Sequence, residues 1–239
     1  MIKFGIHLPI HGAYSYDSAL EVALSADRLS FESLWVGDHF FLPSRAYRRI
    51  GGDPERPDKL DAWMVLAAIA TQTKKMTLGT RVSPISFYLP SRLAKIVTTL
   101  DVISGGRAIL GAGAGWHEKE AISYGVGWGG LRERTEKMRE GLEVITRLWT
   151  YDRANYKGKY YEVTDAPHFP KPVQSPHPPV WLGGGSRRIL KIVAEVGDGW
   201  LPTTDMALET FKEATTRIKR IAEENGRDAS SIICLLYTS

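Results

Sequence analysis

Short β-rich stretches alternate with longer amphipathic ones along this chain, and the alternation is the first thing its apolar pattern fixes. "IKFGIHLP" (2–9) predicts a strand, and "YDSALEVALSADRLS" (16–30) carries apolar residues at helical spacing. "SLWVGDHF" (33–40) predicts a second strand, followed by a polar loop rich in Pro, Gly and Arg (43–59). A buried helix (61–73), a third strand "KMTLGTRVSP" (75–84) and a helix over 91–104 with Ser91 as its N-cap come next. "GRAILGAGA" (106–114) predicts a fourth strand, and residues 131–150 a long amphipathic helix. Residues 151–178, rich in proline and containing "YKGKYYEV", read as an insertion carrying a small hairpin. Strands over 178–185, 198–203 and 231–236, with helices over 187–197 and 208–225, complete the series.

Strands that alternate with helices imply βαβ units and a parallel sheet. Seven strands in one series exceed what a small doubly wound domain carries, so the pattern predicts an α/β fold of the (β/α)8 TIM-barrel type. The whole of 1–239 is then one barrel domain, with active groups on the loops that follow each strand. The eighth strand and its helix have no counterpart in the sequence. The expectation is a barrel truncated before strand eight, a fragment with an unpaired edge.

Composition adds limits rather than chemistry. The 239 residues are 43% hydrophobic and 24% charged, the balance of a globular protein that buries its own core. The lone cysteine, Cys234, excludes an intramolecular disulfide and fits a reducing cytoplasm. The start "MIKFGIHLP" reads as no signal peptide, and no apolar run is long enough for a membrane span. A net charge of +4 is too diffuse to argue for nucleic acid, yet suits an anionic small molecule. The six histidines show no metal-ligand spacing, and no G-x-S-x-G elbow is present.

Four stretches carry candidate chemistry. In "GDHFF" (37–41), Asp38 and His39 stand where a barrel places catalytic groups. A histidine there exchanges protons near neutral pH, or is simply satisfied inside its loop; both readings stand. "LGTRVSP" suggests a bulge against which a ligand ring would pack, or an ordinary strand end. In "LGAGAGW", Gly111, Gly113 and Gly115 remove side chains so that backbone amides approach a ligand, but their alternate spacing is wrong for a dinucleotide fingerprint. In "WLGGGSRRIL", three glycines, Ser186 and two arginines open a helix, a ready anion site or a flexible turn with solvated arginines. Glu118 and Glu120 sit two apart at a helix start and read as structural partners of its dipole.

Taken in order, "FGIHLP", "SLWVGDHF", "MTLGTRVSPISFYLPSRLAKIVTTLDVISGGRAILGAGAGWHEKE", "GGLRERTEKMREGLEVITRLW", "YYEV", "PPVWLGGGS" and "DGWLP" resemble the luciferase-like monooxygenase superfamily of TIM barrels, and its F420-dependent branch in particular. The resemblance implies hydride transfer between the deazaflavin coenzyme F420 and a small organic substrate. The alternative is an FMN-dependent monooxygenase using oxygen and a partner flavin reductase. A reading from another class is a non-catalytic flavin-binding barrel or a fragment that cannot fold. It further implies His39 beside the cofactor ring with Asp38 supporting it, and a bulge of Thr80, Arg81, Val82 and Ser83 backing the ring. A non-proline cis peptide is expected at Arg81–Val82. Gly113, Ala114 and Gly115 would line the cofactor edge, and Gly183, Gly184, Gly185, Ser186 and Arg187 would hold its phosphate. Phe40 and Trp116 would belong to an apolar substrate pocket, and a homodimer is expected, with the apolar 62–70 helix either serving its interface or forming barrel core. Sugar-phosphate dehydrogenases of the family place a glutamate near the position of Trp116, so the resemblance does not extend to that substrate.

Overall fold

In a computed structural model, which describes residues 3–49, 51–203 and 206–236, the chain forms a curled parallel sheet with helices packed around its outside. The sheet runs β1 (Gly5–Leu8), β2 (Ser33–Val36), β3 (Thr77–Thr80), β5 (Ala108–Gly113), β8 (Val180–Gly183), β9 (Gly199–Leu201) and β10 (Ile233–Cys234) in spatial order. Every one of these pairings is parallel. β4 (Ser83–Pro84) pairs with β5 beyond the end of β3. β2 and β5 are buried at every position, as expected where helices cover a parallel sheet and its inner face is packed. This is the TIM-barrel class that the alternating pattern predicts, with the outer edges of β1 and β10 unpaired among the described residues.

The outer layer holds α1 (Tyr16–Arg28), α3 (Ala62–Gln72), α4 (Pro90–Ser104), α6 (Leu131–Thr150), α7 (Arg187–Val196) and α8 (Leu208–Glu224). Local chemistry sets their starts: Ser15 accepts from the Ser18 amide, and Asp61 accepts from the Met64 amide at 2.8 Å. The expectation for α4 is corrected by one turn position. Pro90 occupies its first helical position, where a missing N–H costs nothing, and Ser91 lies inside the helix rather than capping it. The 43–59 loop is also more ordered than its composition suggests. It contains the short helix α2 (Ser44–Arg49), which delivers a fully buried Tyr47 whose hydroxyl donates to Pro57 O and accepts from Leu42 N, each at 3.2 Å. The hairpin in the insertion is β6 (Arg153–Lys157) with β7 (Glu162–Pro167). α3 spends its apolar residues in the core, with Trp63, Val65, Leu66, Ile69 and Ala70 buried and Met64 exposed.

Inside the sheet, Trp35, Ile109, Trp181 and Leu201 form a separate apolar layer, the two indoles 5.1 Å apart. Their layer faces a cavity of about 1330 Å³ that opens between β1 and β10. Among the cofactor-site residues expected from the sequence, this cavity reaches only Arg81.

The glycines of β5 serve the protein before any ligand. A Cβ on Gly111 would stand 1.6 Å from the carbonyl oxygen of Thr80, so β3 and β5 approach each other only because that atom is missing. Gly111→Ala should therefore destabilise the fold by about 3 kcal/mol or more, the upper range for overpacking against backbone that cannot yield. Chemical denaturation with unchanged cooperativity would read this, and a wild-type midpoint would refute it.

His168 closes the insertion onto α4. Thr98 donates its only hydroxyl proton to Ala94 O, so it accepts from His168 Nε2 at 2.9 Å. Burial, aided by Lys95 and Lys171, pushes the imidazole down to about 4. The unfolded chain then binds more protons between pH 6.5 and 4, and stability falls as pH falls through that window. His168→Asn should lower the melting temperature at pH 7.5 and flatten its decline toward pH 4; an unchanged acid slope would contradict the assignment.

Candidate active site

The C-terminal ends of the strands gather the residues singled out from the sequence, with one exchange of partners. Where β3 ends, the chain crosses from β2 to β5 through the Arg81–Val82 peptide, which is cis. The Arg81 amide still donates to Val36 O at 2.7 Å, so the crossing stays fastened to β2. Gly113 and Gly183 flank it, and a Cβ on either would lie within 3 Å of the Val82 side chain. These two glycines make the slot in which Val82 packs. Thr80 and Ser83 are fully buried beneath the crossing: Thr80 Oγ1 donates to Gly111 O at 2.8 Å, and Ser83 lies 3.0 Å from Thr80.

Asp38 belongs to that buried layer. Its Oδ2 accepts from the Ser83 hydroxyl and from the Tyr88 hydroxyl, the latter at 2.7 Å. Burial raises the Asp38 carboxyl above the usual range, against the two hydroxyls that pull it down, and burial beside Asp38 raises the Tyr88 phenol, which remains a donor. Although its charge acts on His39, Asp38 makes no hydrogen bond to it among the described residues.

Glu120 does. It lies on α5 (Glu118–Ser123), is fully buried, and accepts from the Phe40 amide through Oε1. Its Oε2 lies 2.8 Å from His39 Nδ1 and 3.5 Å from His117 Nδ1. The reading of Glu120 as a partner of the helix dipole is corrected by this burial: a carboxylate placed wholly inside the protein needs donors, and β2's exit loop supplies two. The available signal was the period. Glu118 points outward while Glu120 falls beside the buried Ala121.

Rings close over this layer. Trp116 meets His39 edge-on at 5.6 Å and stacks on His117 at 5.1 Å. Phe40 stacks on Tyr124 at 4.1 Å and on Phe87 at 5.1 Å. Phe40, Trp116 and Tyr124 are all exposed. Ala114 is nearly buried, and Gly115, at φ +79°, turns the chain against Pro84 and Trp128. On the opposite side of the face, Gly183 leads into Gly184 at φ +123°, and Ser186 caps α7 by accepting from Ile189 N at 3.3 Å. The amides of Gly185, Ser186, Arg187 and Arg188 take no acceptor among the described residues, and both arginines are exposed. Free amides on a helix start are a fitting receptor for a phosphate.

Among the described residues no group of His, Cys, Asp or Glu is arranged to hold a metal, and no helix is long and apolar enough to cross a membrane.

The luciferase-like monooxygenase family model matches residues 2–238. The F420-dependent glucose-6-phosphate dehydrogenase of Amycolatopsis mediterranei is 36% identical over 195 residues, covering 81% of this chain and 55% of the relative. The protein of the same name from Segniliparus rotundus is 32% identical over 215 residues, covering 89% of this chain and 61% of the relative. This chain thus spans less than two thirds of the length of either curated relative. A solved F420-dependent secondary alcohol dehydrogenase in complex with an F420-acetone adduct superposes with a TM-score of 0.84 at 26% identity, over 97% of this chain and 67% of that one. The F420-dependent tetrahydromethanopterin reductase of Methanopyrus kandleri gives 0.81 at 25% identity, over 99% and 65%. On the family match along nearly its whole length, the chain belongs to the luciferase-like monooxygenase family.

Proposed function

We propose that this chain carries the cofactor face of an F420-dependent oxidoreductase, with His39 as the proton-exchanging group and the start of α7 as the phosphate receptor. The observation that carries the reading is the pairing of His39 with the buried Glu120, across the strand-end face from four unused amides. The F420-dependent relatives and solved structures support the choice of cofactor. When bound, F420 supplies a ring carbon that gives or takes a hydride.

The protein's own part follows from the geometry. With Nδ1 directed at the Glu120 carboxylate, a neutral His39 carries its proton there, leaving Nε2 as the acceptor. Nε2 then accepts a proton from a substrate hydroxyl when the hydride leaves, and returns it to a carbonyl in the reverse direction. Glu120 fixes the ring's tautomer and orientation, and its bond to the Phe40 amide fixes Glu120 in turn. The aromatic mouth excludes water from the carbon that reacts. By the family resemblance, sugar-phosphate dehydrogenases carry a glutamate near the position of Trp116, and an indole stacked on His117 supplies no acid. The sugar-phosphate chemistry of the relatives is therefore not carried over.

Titrating the full chain with F420 and with FMN, by quenching of tryptophan fluorescence, should show saturation by F420 at micromolar levels and weak quenching by FMN. Preference for FMN would replace hydride transfer with oxygen chemistry. His39→Ala should abolish hydride transfer while F420 affinity changes little; unaltered turnover would remove His39 from the chemistry. Glu120→Gln should lower kcat by about a hundredfold, the scale of a misaligned general base. A normal kcat would leave Glu120 as a packing residue only.

A further inference from the structure

Lys59 is a cation at this mouth whose chemistry the proposed reaction leaves unused. Backbone bonds tie its loop across the tip of β1: Gly12 N donates to Asp58 O at 3.3 Å, and Leu60 N to Ile10 O at 3.0 Å. His11 and Lys59 pair between these two bonds as an antiparallel bridge. The loop is further held by the buried Tyr47, so Lys59 is carried on a braced segment rather than on a free one.

Three carboxylates surround it at a distance, those of Asp38, Glu120 and Asp61, together with the imidazoles of His7 and His11. Each carboxylate is engaged elsewhere. Asp38 accepts from Ser83 and Tyr88, Glu120 from Phe40 N with His39 at its other oxygen, and Asp61 caps α3. Lys59 itself makes no ion pair and no hydrogen bond among the described residues. Burial pushes His7 down to about 3 and His11 to about 4, so neither adds positive charge near neutral pH. Burial also draws Lys59 down to about 8, against the pull of the three carboxylates, which leaves it mostly an ammonium at pH 7. A half-buried ammonium with no ion pair or hydrogen bond has lost water without replacing its contacts, and an arriving oxyanion would restore them.

The cofactor's phosphate is a poor candidate for that oxyanion. The α7 receptor follows β8, whereas Lys59 lies over β1, and β2, β3 and β5 stand between them in the sheet. The aromatic wall is the nearer neighbour: His11, which pairs with Lys59, meets the Tyr47 ring at 5.7 Å, and the Tyr47 hydroxyl accepts from Leu42 N, two residues beyond Phe40. We propose that Lys59 receives an oxyanion carried by the substrate, whose flat apolar body lies on the wall of Phe40, Phe87 and Tyr124. The word "substrate" rests on the oxidoreductase reading above; the anion site rests on the packing around Lys59 alone.

Calorimetric titration of the full chain without cofactor, using 3-phenylpropanoate, its neutral amide and phenyl phosphate at pH 7, tests the site. The acid should bind about tenfold or more tightly than the amide, the worth of one charge-assisted hydrogen bond. Lys59→Met should erase that preference without weakening the amide, and Lys59→Arg should recover most of it. Circular dichroism and F420 titration of the variants check that the fold is intact. A preference for phenyl phosphate that vanishes in Lys59→Met keeps the site and makes its oxyanion a phosphate. Equal binding of acid and amide by the wild type, a preference that survives Lys59→Met, or no binding of either oxyanion overturns the proposal. Failure of F420 to bind while the Lys59-dependent preference persists would overturn the oxidoreductase reading and leave this one standing.

Discussion

The close approach of the Thr80 carbonyl to Gly111 is the contact from which the rest of the strand-end face is built. It brings β3 against β5 near enough for Thr80 Oγ1 to reach Gly111 O, and it places Ser83 beside Thr80. Ser83 then holds Asp38, which Tyr88 holds from the other side. With Asp38 fixed inward at the end of β2, the next residue must leave the barrel in the opposite sense. His39 does so, and there it meets Glu120. One missing methyl group thus decides, through four hydrogen-bonded side chains, where the imidazole points.

The same chain of contacts explains how two acids are kept inside one site without repelling each other apart. Asp38 accepts from two hydroxyls, which favour its charged form, while burial outweighs them and raises its affinity for a proton. Glu120 instead faces an amide and an imidazole. The two carboxyls therefore occupy separate environments on opposite sides of the β2 exit.

Periodicity made the order of elements legible because each helix buries one face and each strand is short and apolar; α6 begins and ends where the pattern places it. The boundary of α4 was misplaced because a proline at the first position outweighs a serine one residue later. The site was legible where backbone geometry demands particular residues, as at Gly111, Gly113 and Gly183, though those glycines answer first to Thr80 and Val82. It was not legible where a side chain finds its partner across the sheet. His39 and Glu120 stand 81 residues apart, and nothing in either local sequence announces the other. Asp38 and His39 are adjacent in sequence, which suggested a pair, but neighbours at a strand end point to opposite sides.

That opposition extends to the whole face and gives it a direction. The β1 and β2 side presents imidazoles, buried carboxylates, Lys59 and an aromatic wall, all on braced loops. The β8 side presents open amides at a helix start and two solvated arginines. A ligand with a phosphate at one end gains the helix dipole and amide donors only on the second side. On the proposed reading its ring would extend toward the crossing at Val82 and toward His39. A smaller molecule on the first side would meet the aromatic wall, the His39 imidazole and the charge of Lys59. The two anion-accepting positions stand at different ends of the face, with β2, β3 and β5 between the strands that carry them. On the proposed reading it is this separation, rather than a difference in donors, that would keep the two ligands' charged ends apart.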